Sequence, residues 1–196
     1  MRLVVGITGA TGTVIGVRIL SMLRELGVET HLILSRWGRA TLETETDLNV
    51  SDVYALADHV HGAGDVAAPI SSGSFRTDGM IIAPCSMKTL AAVRTGYGEG
   101  LIARAADVTL KEHRKLVLVP RELPLSEIHL DNMLTLARMG TVIAPPVPAF
   151  YNRPTTIDDI VDHIAVRVLD QFDLEPPTAR RWQGIPTRTN GKAPPI

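Results

Sequence analysis

Apolar residues along this chain fall into two rhythms. Short, largely apolar runs occupy 3–7, 30–34, 80–83, 116–119 and 142–144, and between them lie longer stretches with apolar residues every three or four positions. Those longer stretches are 14–26, 86–95, 101–112, 128–139 and 157–172. A run of four or five apolar residues fits a strand buried on both faces, and the longer period fits an amphipathic helix. Their alternation predicts βαβ units, in which a parallel sheet is covered by helices on both sides. Pro84 and Pro120 are expected to stop the third and fourth strands, Ser86 to cap a helix, and Gly140 to end one. A short helix is expected at 39–45, whereas the stretch from there to 68 is poorly patterned. The pattern reads as one α/β domain over 1–174, followed by a tail at 175–196 rich in Pro, Arg and Thr. Such a tail is either disordered or an arm docked on a neighbour.

Composition narrows the classes. The chain has 196 residues, 45% hydrophobic and 21% charged, enough for one well-filled core and unlike a disordered polymer. A formal net charge of -1 supplies no general attraction to nucleic acid or to a membrane surface, so neither is expected as a partner. A single cysteine, Cys85, excludes an internal disulfide and suits a reducing compartment. No apolar run is long enough to span a bilayer, and the N-terminus reads as a strand, not a secretory leader. The expected location is the cytoplasm.

Candidate chemistry begins at the first strand-to-helix turn. Gly6, Gly9 and Gly12 are evenly spaced there, with Thr8, Thr11 and Thr13 between and beside them. Glycines in that context allow a tight turn and let backbone N–H groups approach a phosphate at a helix N-terminus. The same spacing is compatible with NADP, with FMN, with a bare phosphate, or with a purely structural turn. Ser35-Arg36 at the end of the second strand offers an arginine for NADP. The Tyr-x-x-x-Lys of short-chain reductases is absent, because Tyr54, Tyr97 and Tyr151 are followed at that spacing by Asp58, Leu101 and Thr155. A second anion-binding segment, Pro84-Cys85-Ser86-Met87-Lys88-Thr89, also follows a strand and opens a helix. Cys85 reads as a buried small residue and not as a nucleophile. Arg121-Glu122 sits where open α/β sheets place ligands. Arg104 and Lys111 share one helix face, and Arg167 interrupts an apolar stripe, which implies a buried or interfacial role. His59 and His61 have a metal-like spacing, but no further His, Cys or acidic cluster completes a site; they read as loop histidines, and no metal is expected.

These segments run in a recognisable order. Gly9-Ala10-Thr11-Gly12, Ser71-Ser72-Gly73-Ser74-Phe75, Asp78-Gly79-Met80 and the Pro84–Thr89 segment come first. Arg104-Ala105-Ala106-Asp107-Val108, Pro120-Arg121-Glu122, Asn132-Met133 and Pro148-Ala149-Phe150-Tyr151 follow. Together they resemble the UbiX flavin prenyltransferase family, over residues 1–185. Ala179-Arg180-Arg181-Trp182-Gln183-Gly184 resembles in particular the branch of that family named for hydroxyarylic (phenolic) acid decarboxylases. The resemblance implies a flavodoxin-like, Rossmann-type three-layer sandwich assembled as a homo-dodecamer. It implies a reaction that joins a dimethylallyl group, from dimethylallyl phosphate, to N5 and C6 of reduced FMN. The product, prenylated FMN, would serve a partner decarboxylase of the UbiD type.

Carried over residue by residue, the resemblance assigns FMN contacts to Gly9, Ala10, Thr11, Ser35, Ser86, Met87, Lys88, Thr89 and Arg121. It assigns dimethylallyl phosphate to Tyr151 and Arg167, with Arg104, Lys111, Glu122 and Glu45 around them. Glu45 and Glu122 are candidate proton carriers, Glu122 also orienting Lys111 or a phosphate proton. The cationic groups and the Tyr151 hydroxyl would stabilise charge on the departing phosphate, and Trp182 would close the tail over the site and exclude water. Many members carry Ser where this chain has Thr11, and the extra methyl narrows the pocket beside the flavin. Two other readings share the fold. Flavin-dependent cysteine decarboxylases carry Pro-Ala-Ser-Ala-Asn-Thr at the Pro84–Thr89 segment, and the missing Asn argues against them. An FMN-binding decarboxylase component or flavin carrier would bind FMN without transferring a prenyl group.

Overall fold

The computed structural model describes residues 1–184. Six strands form one all-parallel sheet in the order β3-β2-β1-β4-β5-β6. They are β1 (Arg2–Ile7), β2 (Glu29–Leu34), β3 (His59–His61), β4 (Gly79–Cys85), β5 (Lys115–Pro120) and β6 (Val142–Ile143). In β1, Leu3, Val5 and Ile7 enter the core on one face, and Val4 enters the core on the other. This is the period-two alternation of a strand with no solvent face. Helices α1 (Thr13–Glu25), α2 (Arg36–Glu45), α3 (Val50–Tyr54) and α7 (Ile157–Leu169) build the first core. Helices α4 (Met87–Thr95), α5 (Leu101–Lys111) and α6 (Glu127–Arg138) build the second. The expected three-layer, flavodoxin-like and Rossmann-type sandwich is present, with every strand pair parallel.

Strand order reverses between β1 and β4. The connection from β1 leads outward to β2 and β3, and the chain returns to the other side for β4, β5 and β6. Open α/β sheets bind ligands in the crevice outside the carboxyl ends at such a reversal. Here the loops after β1 and β4 flank that crevice.

Several boundaries differ from expectation. Pro84 does not stop β4, which runs on to Cys85 across a register shift between Ile82 and Cys85. A proline is tolerated at such an irregularity because its missing donor is not needed there. Its carbonyl is used instead: the Thr8 amide donates to it at 3.2 Å and the buried Thr8 hydroxyl at 2.8 Å. Pro120 likewise ends β5 from within, opposite Cys85. The poorly patterned stretch holds α3, β3 and a 3₁₀ turn at Pro69–Ser71. The last long helix ends at Leu169, and a 3₁₀ turn at Asp170–Phe172 completes it. The tail is docked as far as 184. Ala179 packs on the first core, and Arg181 pairs with Asp170 at 2.9 Å and Glu175 at 3.0 Å. Residues 185–196, the rest of the expected tail, lie outside the described residues.

Candidate functional site

The crevice at the reversal opens into a cleft of about 460 Å³. Its walls include Gly9 after β1, Ser35, Arg36 and Trp37 after β2, Ser86, Lys88 and Thr89 after β4, and Ile102 and Ala103 of α5. Gly9 is fixed by packing, since a Cβ there would stand 2.3 Å from the Cβ of Trp37. Ser35 caps α2 and accepts the Gly38 amide at 2.9 Å. Ser86 caps α4, accepts the Thr89 amide at 3.3 Å, and sits 3.0 Å from the Thr89 hydroxyl. Two helix N-termini, each the positive end of a dipole, therefore converge on one cleft, with Lys88 on its wall. Thr8 ties the two sides together by accepting the Ser86 amide at 2.8 Å. Met87 and Ala10 are half-buried beside this wall, and the Arg121 amide donates to the Cys85 carbonyl at 3.2 Å, which leaves the Arg121 side chain exposed.

The N-terminus of α1 behaves differently from expectation. Its capping residue, Gly12, has φ 97 and no side chain with which to cap. Glu45, at the end of α2, fills the position: its carboxylate accepts the Gly12 amide at 2.9 Å, the Thr13 amide at 3.0 Å and the Thr13 hydroxyl at 2.8 Å. The α1 N-terminus at the first Gly-rich loop is thus already occupied by a carboxylate, and the helix N-termini that line the cleft are those capped by Ser35 and Ser86. Burial pushes the Glu45 carboxyl up, but the hydrogen bonds from Thr11, Thr13 and Gly12 outweigh it and hold the carboxyl below its ordinary range. Glu45 is anionic at neutral pH and holds the loop at Gly12 and Thr13, the two residues that follow Thr11.

A second cluster lies on α7 and the segment before it. Tyr151 meets Trp182 edge-on at 5.4 Å between ring centroids, so the docked tail reaches it. The Tyr151 hydroxyl is 3.4 Å from His163 Nε2, and Asn152 Nδ2 is 3.0 Å from His163 Nδ1. Burial, and then the nearby Arg167 charge, push the His163 imidazole down, which favours the neutral ring. Sequence reasoning missed His163, although its place one helical turn before Arg167 was available as a signal. Arg167 is exposed and pairs with Asp170 at 2.5 Å, so the buried alternative for it is corrected and its charge faces outward from α7.

Other expected members are not gathered here within one chain. Arg104 and Lys111 lie on α5, which belongs to the second core, whereas α7 belongs to the first. Arg104 donates to the Ser71 carbonyl at 3.1 Å and pairs with Asp107 at 2.7 Å. Lys111 pairs with Glu112 at 2.5 Å, so the expected orientation of Lys111 by Glu122 is absent in this chain. Glu122 is exposed after β5 and accepts its neighbour's amide from Leu123 at 3.1 Å. Cys85 is fully buried and burial pushes its thiol far up, as its reading as an inert residue requires. His59 and His61 are not loop residues: they form β3, and pairing with β2 brings Glu29 and His31 beside them. Sequence spacing hid this, because adjacent strands join residues far apart along the chain.

Known proteins align with this arrangement over nearly its full length. The flavoprotein family pattern matches residues 1–169. A protein of Streptomyces sp. (strain D7) named "Probable UbiX-like flavin prenyltransferase" is 70% identical over 186 residues, covering 94% of this chain and 93% of its own. The crystal structure of a dodecameric FMN-dependent UbiX-like decarboxylase from Escherichia coli O157:H7 superposes with a TM-score of 0.93 at 65% identity, covering 94% of this chain and all of that one. That of AnUbiX (PadA1), in complex with FMN and dimethylallyl pyrophosphate, gives a TM-score of 0.93 at 58% identity, covering 94% and 98%.

Proposed function

This chain belongs to the UbiX-like flavin prenyltransferases of the flavoprotein family, and from that premise we propose how its own residues carry prenyl transfer to FMN. The donor set of the cleft fits that substrate. Ser35, Ser86 and Thr89 offer hydroxyls and Lys88 an ammonium at two helix N-termini, a combination suited to a phosphomonoester. Gly9 lines the cleft where a ring system needs close backbone approach, and Ala10, Thr11, Met87 and Arg121 are assigned to the flavin with it. Reduced FMN, when bound, supplies the nucleophilic N5 and C6.

The chain's residues then do three things. Thr11 and Glu45 hold or move a proton at the Thr11 hydroxyl, on the loop whose next two amides the anionic carboxylate binds. Tyr151 and Arg167 bind the phosphate of the dimethylallyl donor and stabilise charge as it departs, and Glu122 carries a proton to or from it. Trp182, seated on Tyr151, excludes water from the site. Arg104 and Lys111, on the opposite face, serve the site of a neighbouring chain in a homo-oligomer. The dodecameric assembly of the Escherichia coli relative supports that reading.

The observation that carries this proposal is the convergence of two serine-capped helix N-termini on the same cleft that Thr8 and Gly9 of the glycine loop line. The donor is dimethylallyl monophosphate, and the product passes to a UbiD-type decarboxylase in the cytoplasm. The test supplies the chain with reduced FMN and either dimethylallyl monophosphate or the diphosphate, then adds the filtrate to a cofactor-free UbiD-type decarboxylase. Decarboxylation restored by the monophosphate reaction supports the proposal. Restoration by the diphosphate alone overturns the donor, and restoration by neither overturns the hand-off.

A further inference from the structure

The strands begin at the opposite edge of the sheet from the cleft, and three metal-binding side chains meet there. Glu29 opens β2, His31 lies two residues on along the same face, and β3 pairs His59 directly with His31. His31 Nε2 is 3.2 Å and His59 Nε2 is 3.5 Å from Glu29 Oε1. The donor atoms of all three residues lie within 4.8 Å of one another. We propose that Glu29, His31 and His59 form a site for a divalent transition metal of the zinc class, which fastens the edge strand β3 to β2.

The spacing suits the ion. Ligand atoms on a tetrahedral zinc, with bonds of about 2.0–2.1 Å, stand roughly 3.4 Å apart. Two imidazoles and a carboxylate leave one position for water, a donor set used for zinc elsewhere. The surroundings are also those of a ligand site. His31 is buried, and its Nδ1 is 2.9 Å from His61 Nε2. With the proton on His31 Nδ1 donated to His61, the Nε2 lone pair faces Glu29, while the His59 ring stacks on His31 at 4.5 Å between centroids and turns to bring its own Nε2 onto the ion. Arg2 Nε donates to Glu29 Oε1 at 2.7 Å, the oxygen that also faces the two imidazoles, so an ion bound there shares the carboxylate with Arg2; the edge of Phe75 holds the His31 ring from the side. The His59 side chain is 52% exposed, so it can turn onto an ion that enters from solvent. A three-residue edge strand with two exposed residues gains little from packing, and a cross-strand metal bond would supply what packing does not.

The test uses the full, untagged chain after chelation, titrated with zinc by calorimetry and with cobalt(II) by visible absorption. The unaltered chain is expected to bind one ion saturably, show the strong visible bands of tetrahedral cobalt(II), and melt at a higher temperature with zinc present. His59→Ala, a surface change, should abolish saturable binding. His61→Ala should weaken it by about 10–100-fold, as loss of a supporting hydrogen bond does. His129→Ala, on α6, should bind as the unaltered chain does. Absence of saturable binding to the unaltered chain overturns the site. So does His59→Ala binding undiminished, or His129→Ala losing as much as His59→Ala.

Discussion

The amides of Gly12 and Thr13, just after Thr11, and the carboxylate of Glu45 form a pairing that no spacing rule gives, because 33 residues separate Gly12 from Glu45 and only the α1–α2 contact closes the distance. Thr11→Val keeps the shape and removes the proton. It should lower kcat on the order of a hundredfold, the usual worth of a positioned acid or base, while Thr11→Ser should not; single-turnover flavin spectra read the difference. Glu45 also gives a pH signature with a definite sign. Its folded-state pKa is lowered, so the stabilisation is present above the unfolded carboxylate value and is lost as pH falls through the folded one. Melting temperatures of the unaltered chain should therefore drop more steeply on acidification than those of Glu45→Gln. Equal slopes would show that the carboxylate does not support α1. At this scale the residue types were legible and their partners were not. Gly9, Ser35, Ser86, Lys88 and Thr89 line the cleft as the motifs implied. Glu45 instead takes the seat the glycine loop was expected to offer a phosphate.

Among the elements, the joint between β1, β4 and α4 sets the geometry of the cleft. Thr8 is its hinge pin, donating to the Pro84 carbonyl and accepting the Ser86 amide. Thr8→Val fills the same space, leaves the Ser86 amide unpaired and leaves the Pro84 carbonyl with the Thr8 amide alone. The expected cost is about 1–3 kcal/mol, a fall in Tm of roughly 2–12 °C for a chain of this length, with weaker FMN binding. An unchanged Tm would mean that water replaces the hydroxyl. Long amphipathic helices and apolar central strands were readable because their periods repeat often enough to stand out. β3 was not, since His59, Val60 and His61 have no apolar alternation and owe their strand geometry to pairing with β2. Pro84 misled for a related reason: the rule that proline ends a strand concerns its missing donor, and here its carbonyl is what the fold uses.

Across the whole molecule, a single chain carries its cationic groups on two faces. Tyr151 and Arg167 belong with α7, and Arg104 and Lys111 with α5, so the proposed service of both sets to one donor phosphate requires an assembly. Arg104→Ala and Arg167→Ala should each be nearly inactive alone and should regain part of the activity when refolded together into mixed oligomers. Failure of any mixture to exceed the separate variants would place both arginines in service of their own chain. The sequence could not show this arrangement, because helical spacing reports which residues share a face and is silent on which chain that face meets.

Prenyl transfer depends above all on the cleft presenting FMN to a prenyl donor. The direct measurement is to incubate the chain anaerobically with reduced FMN and dimethylallyl phosphate, extract the flavin, and weigh it by mass spectrometry. A flavin heavier by one isoprene unit is the predicted result. FMN recovered bound to the chain but unchanged in mass would contradict it and leave a protein that only carries the flavin.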